Sequence, residues 1–322
     1  MERQNNQFSF LDHLTNDLGG KRTAEFFQKC DKYIPWNDLA EPLKDMYSNN
    51  TSKGGAVNWP VVMMIKCMML QRWFNLSDPM LEEMLLDRLS FRRFIGLRME
   101  DKTPDETTLV VFRKRLREHG HNATLFDKTV EILKQRGVIL EEGTCVDATI
   151  IEAPRGRKRS DQTSTKDRTA SYTKKHGTIH HGFKAHIATD CNGIIKDYRF
   201  DTASVHDSKH IDDLIAGEQN SVWADSAYMD SDRKQRLEND GIFCGITERR
   251  VRGQKELTPQ QKWHNRLVAG IRAVVEHPFA WMKNTGYRRV RYRGLSRNGV
   301  DFALHAIAYN FKRSFSLQKV MA

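Results

Sequence analysis

The sequence predicts two parts: an all-helical N-terminal domain, residues 1–140, and an α/β domain, residues 141–322, with a mixed five-stranded sheet and flanking helices. Three observations carry this division. Apolar residues recur at helical spacing as far as residue 136. From Gly143 onward the pattern changes to short β-branched runs separated by turn residues. The charge changes at the same place. Residues 1–143 hold 21 Lys and Arg against 21 Asp and Glu, while residues 144–322 hold 31 against 20, which is the whole net charge of +11.

In the helical domain the periodic segments lie near 21–34, 37–48, 58–74, 79–96, 105–119 and 123–136. Asp78 precedes Pro79, so it is expected as an N-cap with proline opening the helix. Asp105 is expected to cap the helix that begins DETTLVVF. Gly120 and Gly137 are expected helix stops. Met63, Met64, Met68 and Met69 read as core filler, since unbranched thioethers adapt to irregular gaps. The basic turns Arg92–Arg93 and Arg113–Lys114–Arg115–Arg117 fit either a DNA-contacting helix-turn-helix or the solvated faces of a bundle.

The α/β domain begins with TCVDATIIEAP, a strand by its β-branched content. Residues 155–181 are basic, polar and poor in large apolar side chains, and are expected to be a mobile surface loop. GFKAHIATD and IIKDYRFDTAS follow as strands, with Cys191–Asn192–Gly193 as their turn. A helix is expected over 206–215, a fourth strand at SVWADSAY, a helix near 230–239 and a fifth strand at IFCGITE. Helical segments near 263–284 and 299–317 complete the chain. Three strands, helix, strand, helix, strand, helix is the order of a ribonuclease-H-like domain. In that fold the first and fourth strands are neighbours.

Composition excludes several classes. The five cysteines are widely spaced with no C-x-x-C, which points to thiols in a reducing cytoplasm and away from disulfides or zinc. MERQNNQFSF is no signal peptide, and the most apolar run, Val61–Leu70, is short and broken by Lys66, so no membrane location is expected. The last 42 residues hold nine cations, Lys283 through Lys319, against one acid, Asp301. Such a basic segment, 283–319, fits a polyanionic partner, above all nucleic acid.

The acids to weigh are those in apolar surroundings. Asp147 lies mid-strand among Val146, Ala148, Thr149, Ile150 and Ile151. Asp225 follows Val222 and Trp223, and Glu276 follows Val274 and Val275. An acid in such a setting is costly unless it is paired or binds a metal. Three carboxylates from separate elements suit hard divalent ions, and two such ions serve phosphoryl transfer. Arg272 and Lys283 share the Glu276 face if that helix is continuous, although Pro278 favours a kink or restart. Arg288, Arg291 and Arg293, interleaved with Tyr287 and Tyr292, suit a phosphate backbone with a stacked base. His206 and His210 stand four apart without further ligands. Trp223 is expected in the core, while Trp263 and Trp281 fit either the core or a flank for unstacked bases.

Nearly the whole chain resembles the bacterial insertion-sequence transposases of the DDE type, in the insertion-sequence-5 branch. The resemblance rests on IPWNDL, LQRWFNLSDPMLEEMLLD, RRFIGL and PDETTLVVFRKRL in the first domain. In the second it rests on GTCVDATIIEAP, GFKAHIATD, TASVHDS, WADSAY, VVEHPFAWMK and RYRGL. The family's last motif is tyrosine, two residues, arginine, three residues, glutamate, six residues, lysine. Arg272, Glu276 and Lys283 match it, and its tyrosine position falls on Ala269. The resemblance implies Asp147, Asp225 and Glu276 as the catalytic and metal-binding acids, with two Mg²⁺ ions, or Mn²⁺ as substitute. It also implies binding to an element's terminal inverted repeats and to target DNA, with self-association on DNA. The other readings are a non-catalytic DNA-binding regulator derived from a transposase, and a metal-dependent nuclease without strand transfer.

Overall fold

The computed structural model describes residues 21–47, 57–157, 164–175, 177–250 and 253–321. The chain forms two compact units. One holds the described residues up to Thr129 together with Ala303–Phe315. The other holds Val130–Phe302 and the described residues from Ser316 on.

The first unit is built from helices: α1 (Lys21–Tyr33), α2 (Trp36–Ala40), α3 (Val61–Phe74), α4 (Asp78–Asp87), α5 (Leu89–Ile95), α6 (Glu106–Glu118) and the start of α7 (His121–Gln135). The centre is α3, which is apolar all round and buried along most of its length, as a core helix must be. Met63, Met64, Met68 and Met69 are all interior. Aromatic rings fill the space around it. Phe27 stacks on Phe94 at 4.4 Å, and Trp73 meets Phe26 edge-on at 5.0 Å. Trp73 Nε1 donates to Ala308 O at 3.0 Å, so residues 303–315 are part of this core.

Asp105 caps α6 as expected, accepting from Thr108 N at 2.6 Å. Asp78 does not cap α4. Ser77 does, accepting from Met80 N at 3.3 Å. Asp78 is drawn away by Arg113, whose Nη1 donates to Asp78 Oδ1 at 2.7 Å, and by Gln71 Nε2, also at 2.7 Å. Sequence spacing gave no sign of this partner, 35 residues away.

The second unit is a six-stranded mixed sheet, one strand more than the sequence predicts. The strands are β1 (Thr144–Glu152), β2 (Ser171–Lys175), β3 (Thr178–Thr189), β4 (Ile195–Thr202), β5 (Ser221–Ala224) and β6 (Phe243–Ile246). Their order is β2-β3-β1-β5-β6, with β4 also paired to β3. β2 lies within the stretch expected to be a mobile loop. Its rungs to β3 run from Ser171↔Gly182 to Lys175↔Thr178, and Gly294 N donates to Asp167 Oδ2 at 2.7 Å just before it. Residues 158–163 and 176 of that stretch lie outside the described residues. β1 runs antiparallel to β3 and parallel to β5, and β5 runs parallel to β6.

The helices of this unit are the rest of α7, then α8 (Ile211–Leu214), α9 (Ser231–Asn239), α10 (Pro259–Arg272), α11 (Glu276–Asn284) and the two ends of α12 (Leu295–Met321), whose middle belongs to the first unit. Val146, Ala188, Ala224 and Ile246 turn to one face of the sheet and pack with Ile211, Leu214 and Tyr228. Side chains alternate along a strand, so Asp147, next to Val146, turns to the other face. α10 packs on that sheet over β5 and β6, and the 3₁₀ turn Ala273–Val275 after it packs on β1 and β3. Among the described residues no helix is long and apolar enough to cross a membrane.

The Asp78–Arg113 pair supplies a stability test. Burial would raise the Asp78 carboxyl, but the hydrogen bond and charge of Arg113 outweigh it and hold the carboxyl below its usual range. Both side chains are largely buried, at 16% and 8% exposed. Arg113→Ala leaves an uncompensated buried acid and is expected to cost about 3–5 kcal/mol in urea unfolding. The contribution of the intact pair is full above the unfolded carboxylate range. It is lost as pH falls through the depressed Asp78 value, so the difference between variant and parent narrows in acid.

Candidate functional site

The last rung between β1 and β5 is Val146↔Ala224. The next residue on each strand is an aspartate, Asp147 and Asp225. Parallel pairing in register therefore sets two carboxylates side by side where β5 ends. Both are partly buried. They are held differently. Asp225 caps the 3₁₀ turn Ser226–Tyr228 and is fixed by Ser226 Oγ at 2.9 Å and Ala227 N at 3.2 Å. Asp147 accepts from the adjacent Ala148 N at 2.8 Å.

The electrostatics follow from this. Burial pushes the Asp147 carboxyl above its ordinary value, and the Asp225 charge adds to the shift. The Ala148 N–H and the cations Arg272 and Lys175 only partly offset it. For Asp225, burial is outweighed by the Ser226 and Ala227 hydrogen bonds and the Arg272 charge, so its carboxyl is held low. Two like acids thus titrate apart, which is the pattern of a chemically useful pair.

Three cations act on the pair. Arg272 ends α10 and bears on both aspartates, with its buried Nε lacking a hydrogen-bond partner. Lys283, in the last turn of α11, bears on Asp147. Crowding by the protein lowers the Lys283 ammonium, as do the charges of Lys175 and Arg288. Lys175 comes from β2. Sequence reasoning missed it because it stood inside a presumed loop. The Lys174–Lys175 doublet flanked by Tyr172 and Thr173 was the available signal.

Glu276 is exposed and opens α11 directly after the 3₁₀ turn. The helix therefore restarts at Glu276, two residues before Pro278. A 3₁₀ turn winds tighter than an α-helix, so Arg272 and Glu276 do not keep the simple four-residue alignment. Among the described residues no three His, Cys, Asp or Glu side chains converge closely enough to hold a metal ion. The donor set at the pair still suits a hard divalent cation. It offers carboxylate oxygens, and one acid, Asp147, is short of hydrogen-bond donors.

The remaining candidates separate clearly. Arg288 and Arg293 are exposed, and Arg291 is partly so. Their segment runs beside the end of β1, with Val290 N donating to Glu152 O at 2.9 Å. Tyr287 is buried at 2% exposure and is therefore core, not a stacking platform. Trp223 is buried, as expected, and Trp263 is 67% exposed on α10. His206 caps a 3₁₀ turn through Ser208 N at 3.3 Å, while the His210 ring packs on buried His186 at 4.9 Å. Burial lowers His186 to about 4, so both of its ring nitrogens stay uncharged near neutrality.

A family model described as Transposase DDE domain matches residues 140–311, just over half of the chain. The chain belongs to the DDE transposase family. A second model, Transposase domain (DUF772), matches residues 16–115 of the transposase. No solved structure matches it. The transposase's aspartate pair and its flanking cations all fall inside the first match. The family uses divalent metals, and Asp147 and Asp225 offer the carboxylate oxygens that such ions prefer.

A buried carboxyl lacking donors works against folding. Because the Asp147 value is raised, stability is full below the unfolded carboxylate range and falls as pH rises through the folded value. Asp147→Asn removes the charge and is expected to stabilise the ion-free transposase by about 0.5–2 kcal/mol. It is also expected to abolish any rise in melting temperature on adding Mg²⁺. Melting curves with and without the ion check both effects.

Proposed function

We propose that this transposase acts at DNA ends, in the manner of the insertion-sequence-5 branch, by cutting a phosphodiester and joining the freed end to target DNA. The observation that supports this reading best is the Asp147–Asp225 pair on adjacent parallel strands, ringed by Arg272, Lys283 and Lys175. Anionic oxygens that pull a hard cation, set among cations that pull a phosphate, suit phosphoryl transfer.

In this reading Asp147 and Asp225 hold divalent ions, and Glu276 serves as the third carboxylate. Bound ions would lower the pKa of water and neutralise charge on the phosphate. The protein's own task is placement. Arg272 and the Lys283 ammonium, whose charges already bear on the aspartates, hold the non-bridging phosphate oxygens. Arg288, Arg291 and Arg293 carry the neighbouring backbone. Two in-line displacements follow. Water first replaces the 3′-oxygen at the element end and frees a hydroxyl. That hydroxyl then replaces a 3′-oxygen in target DNA. Each step forms one P–O bond and breaks one, so no energy source is required. The partners in this reading are terminal inverted repeats, target DNA and a second copy of the chain on DNA.

The test incubates the full chain with duplexes carrying the element's ends, target plasmid and Mg²⁺. Joined products are expected, and Asp147→Ala, Asp225→Ala and Glu276→Gln should each reduce them by at least about a thousandfold while DNA binding persists. Cutting without joining would favour a nuclease. Binding without any cutting would favour a regulator. Unimpaired cleavage by Asp147→Ala would remove the aspartate assignment.

Binding should weaken steeply with salt, with a log–log slope of about 0.9 per phosphate contacted. Arg291→Ala and Arg293→Ala together should lower that slope by about 2. A slope unchanged by the double substitution would remove these arginines from the backbone contact.

A further inference from the structure

β2 and the first residues of β3 form a ribbon that leaves the sheet. The final rung of β1 on β3 is Glu152↔Gly182, and the final rung of β4 on β3 is Phe183↔Thr202. Beyond these, residues 178–181 of β3 pair with β2, and the chain that runs on from β1 follows their other edge, with Ala153 N donating to His181 O at 2.8 Å and Arg155 Nη2 to Ile179 O at 2.9 Å. The ribbon's base is covered, with His181 buried against the Tyr172 ring at 4.7 Å and His180 Nδ1 3.1 Å from Glu152 Oε1, while Lys174, Lys175, Thr178 and Ile179 beyond are exposed. Lys174 and Ile179 pair across one face, with Tyr172 two residues along it. Lys175 and Thr178 pair across the other. Tyr172 is 47% exposed and Ile179 is 55% exposed, although aromatic and β-branched side chains gain most from contact.

Charge selects the partner. From Thr169 to Thr189 the chain holds no Asp or Glu. Lys166 Nζ lies 4.3 Å from the centre of the Tyr172 ring, adding a cation at the ribbon's base. A polyanion fits this surface, and the shape selects among polyanions. Paired strands stand about 4.8 Å apart, and with side chains they fill a groove about 12 Å wide, which is the major groove of B-form DNA. The narrow major groove of an RNA helix would not admit them.

We propose that the projecting β2–β3 ribbon enters the major groove of duplex DNA and reads base sequence through Lys174, Thr178 and Ile179. This inference rests on the DNA-binding reading above and adds a sequence-reading element to the catalytic unit. Lysine donates to guanine O6 and N7, a threonine hydroxyl bonds either partner, and an apolar side chain meets the thymine methyl. Lys175 joins the ribbon to the aspartate pair, since its charge bears on both Asp147 and Lys283. DNA seated on the ribbon therefore lies beside the aspartate pair, and the bases read are those near the cut.

The test selects binders from a duplex pool with a randomised core, using the full chain without divalent ion so that cleavage plays no part. The selected motif and a scrambled duplex are then titrated against both proteins. A Lys174→Ala, Ile179→Ala double variant should lose about tenfold or more of its preference for the motif over the scrambled duplex. Its affinity for the scrambled duplex should fall by at most about threefold. Lys174→Arg, which keeps the charge and donors, should recover the guanine-dependent part. Thermal melting matched to the parent protein guards against loss of fold. If the double variant binds more weakly but keeps the full preference, the ribbon tracks phosphates only and the inference falls while DNA binding stands. If the unaltered protein retains no duplex, both readings fall.

Discussion

Parallel pairing of β1 with β5 places two carboxylates next to each other at a partly buried edge, and much of the catalytic unit answers that placement. Two like charges so close repel, and burial raises the cost of both. The molecule responds by gathering cations from three separate stretches of chain. Arg272 arrives at the end of α10, Lys283 in the last turn of α11 and Lys175 on β2. This gives one physical reason for a neutral first half and a basic second half. The sheet's opposite face is tightly filled by Val146, Ala188, Ala224 and Tyr228. The aspartates therefore sit on a packed floor.

A comparison among this protein's own acids separates support from chemistry. Asp190 is fully buried and, like Asp147, is raised by burial. Yet Asp190 accepts backbone N–H groups from Leu140, Asn192 and Ile194, and so ties a turn to the sheet. Asp78 is saturated by Arg113 and Gln71. Asp147 receives the N–H of its own neighbour and faces an acid. Burial alone does not distinguish these groups. The supply of donors does, and a carboxylate short of donors is the one prepared to take a cation.

Much of this was legible from residue types. Asp147 stood out because an acid in a β-branched strand has few innocent explanations, and WADSAY marked the second acid by its strand-to-turn change. What escaped had a faint local signature or none. β2 is polar and short and fully buries none of its side chains, so it lacks the apolar alternation that marks a half-buried strand. Asp78 looked like a cap because Ser77 and Asp78 are both capping types, and only the distant Arg113 decides between them. The 3₁₀ turn at Ala273–Val275 interrupts what reads as one helix, since these apolar residues suit either winding. For the same reason the exposed position of Glu276 was hidden from spacing arguments. Tyr287 was misjudged because a tyrosine among arginines looks like an interface, whereas its ring is interior.

The membership of residues 303–315 in the first unit has a consequence for the order of synthesis. Trp73 is made 235 residues before its carbonyl partner, Ala308. On the ribosome the helical unit must wait, with part of its aromatic core uncovered, until the last helix emerges. The larger part of the sheet unit, Val130–Phe302, is made before residues 303–315 and can close first. A chain cut short near residue 300 would keep its aspartate pair and yet lack the segment that finishes the other unit. For this molecule, integrity of the C-terminal helix is a condition on the N-terminal half.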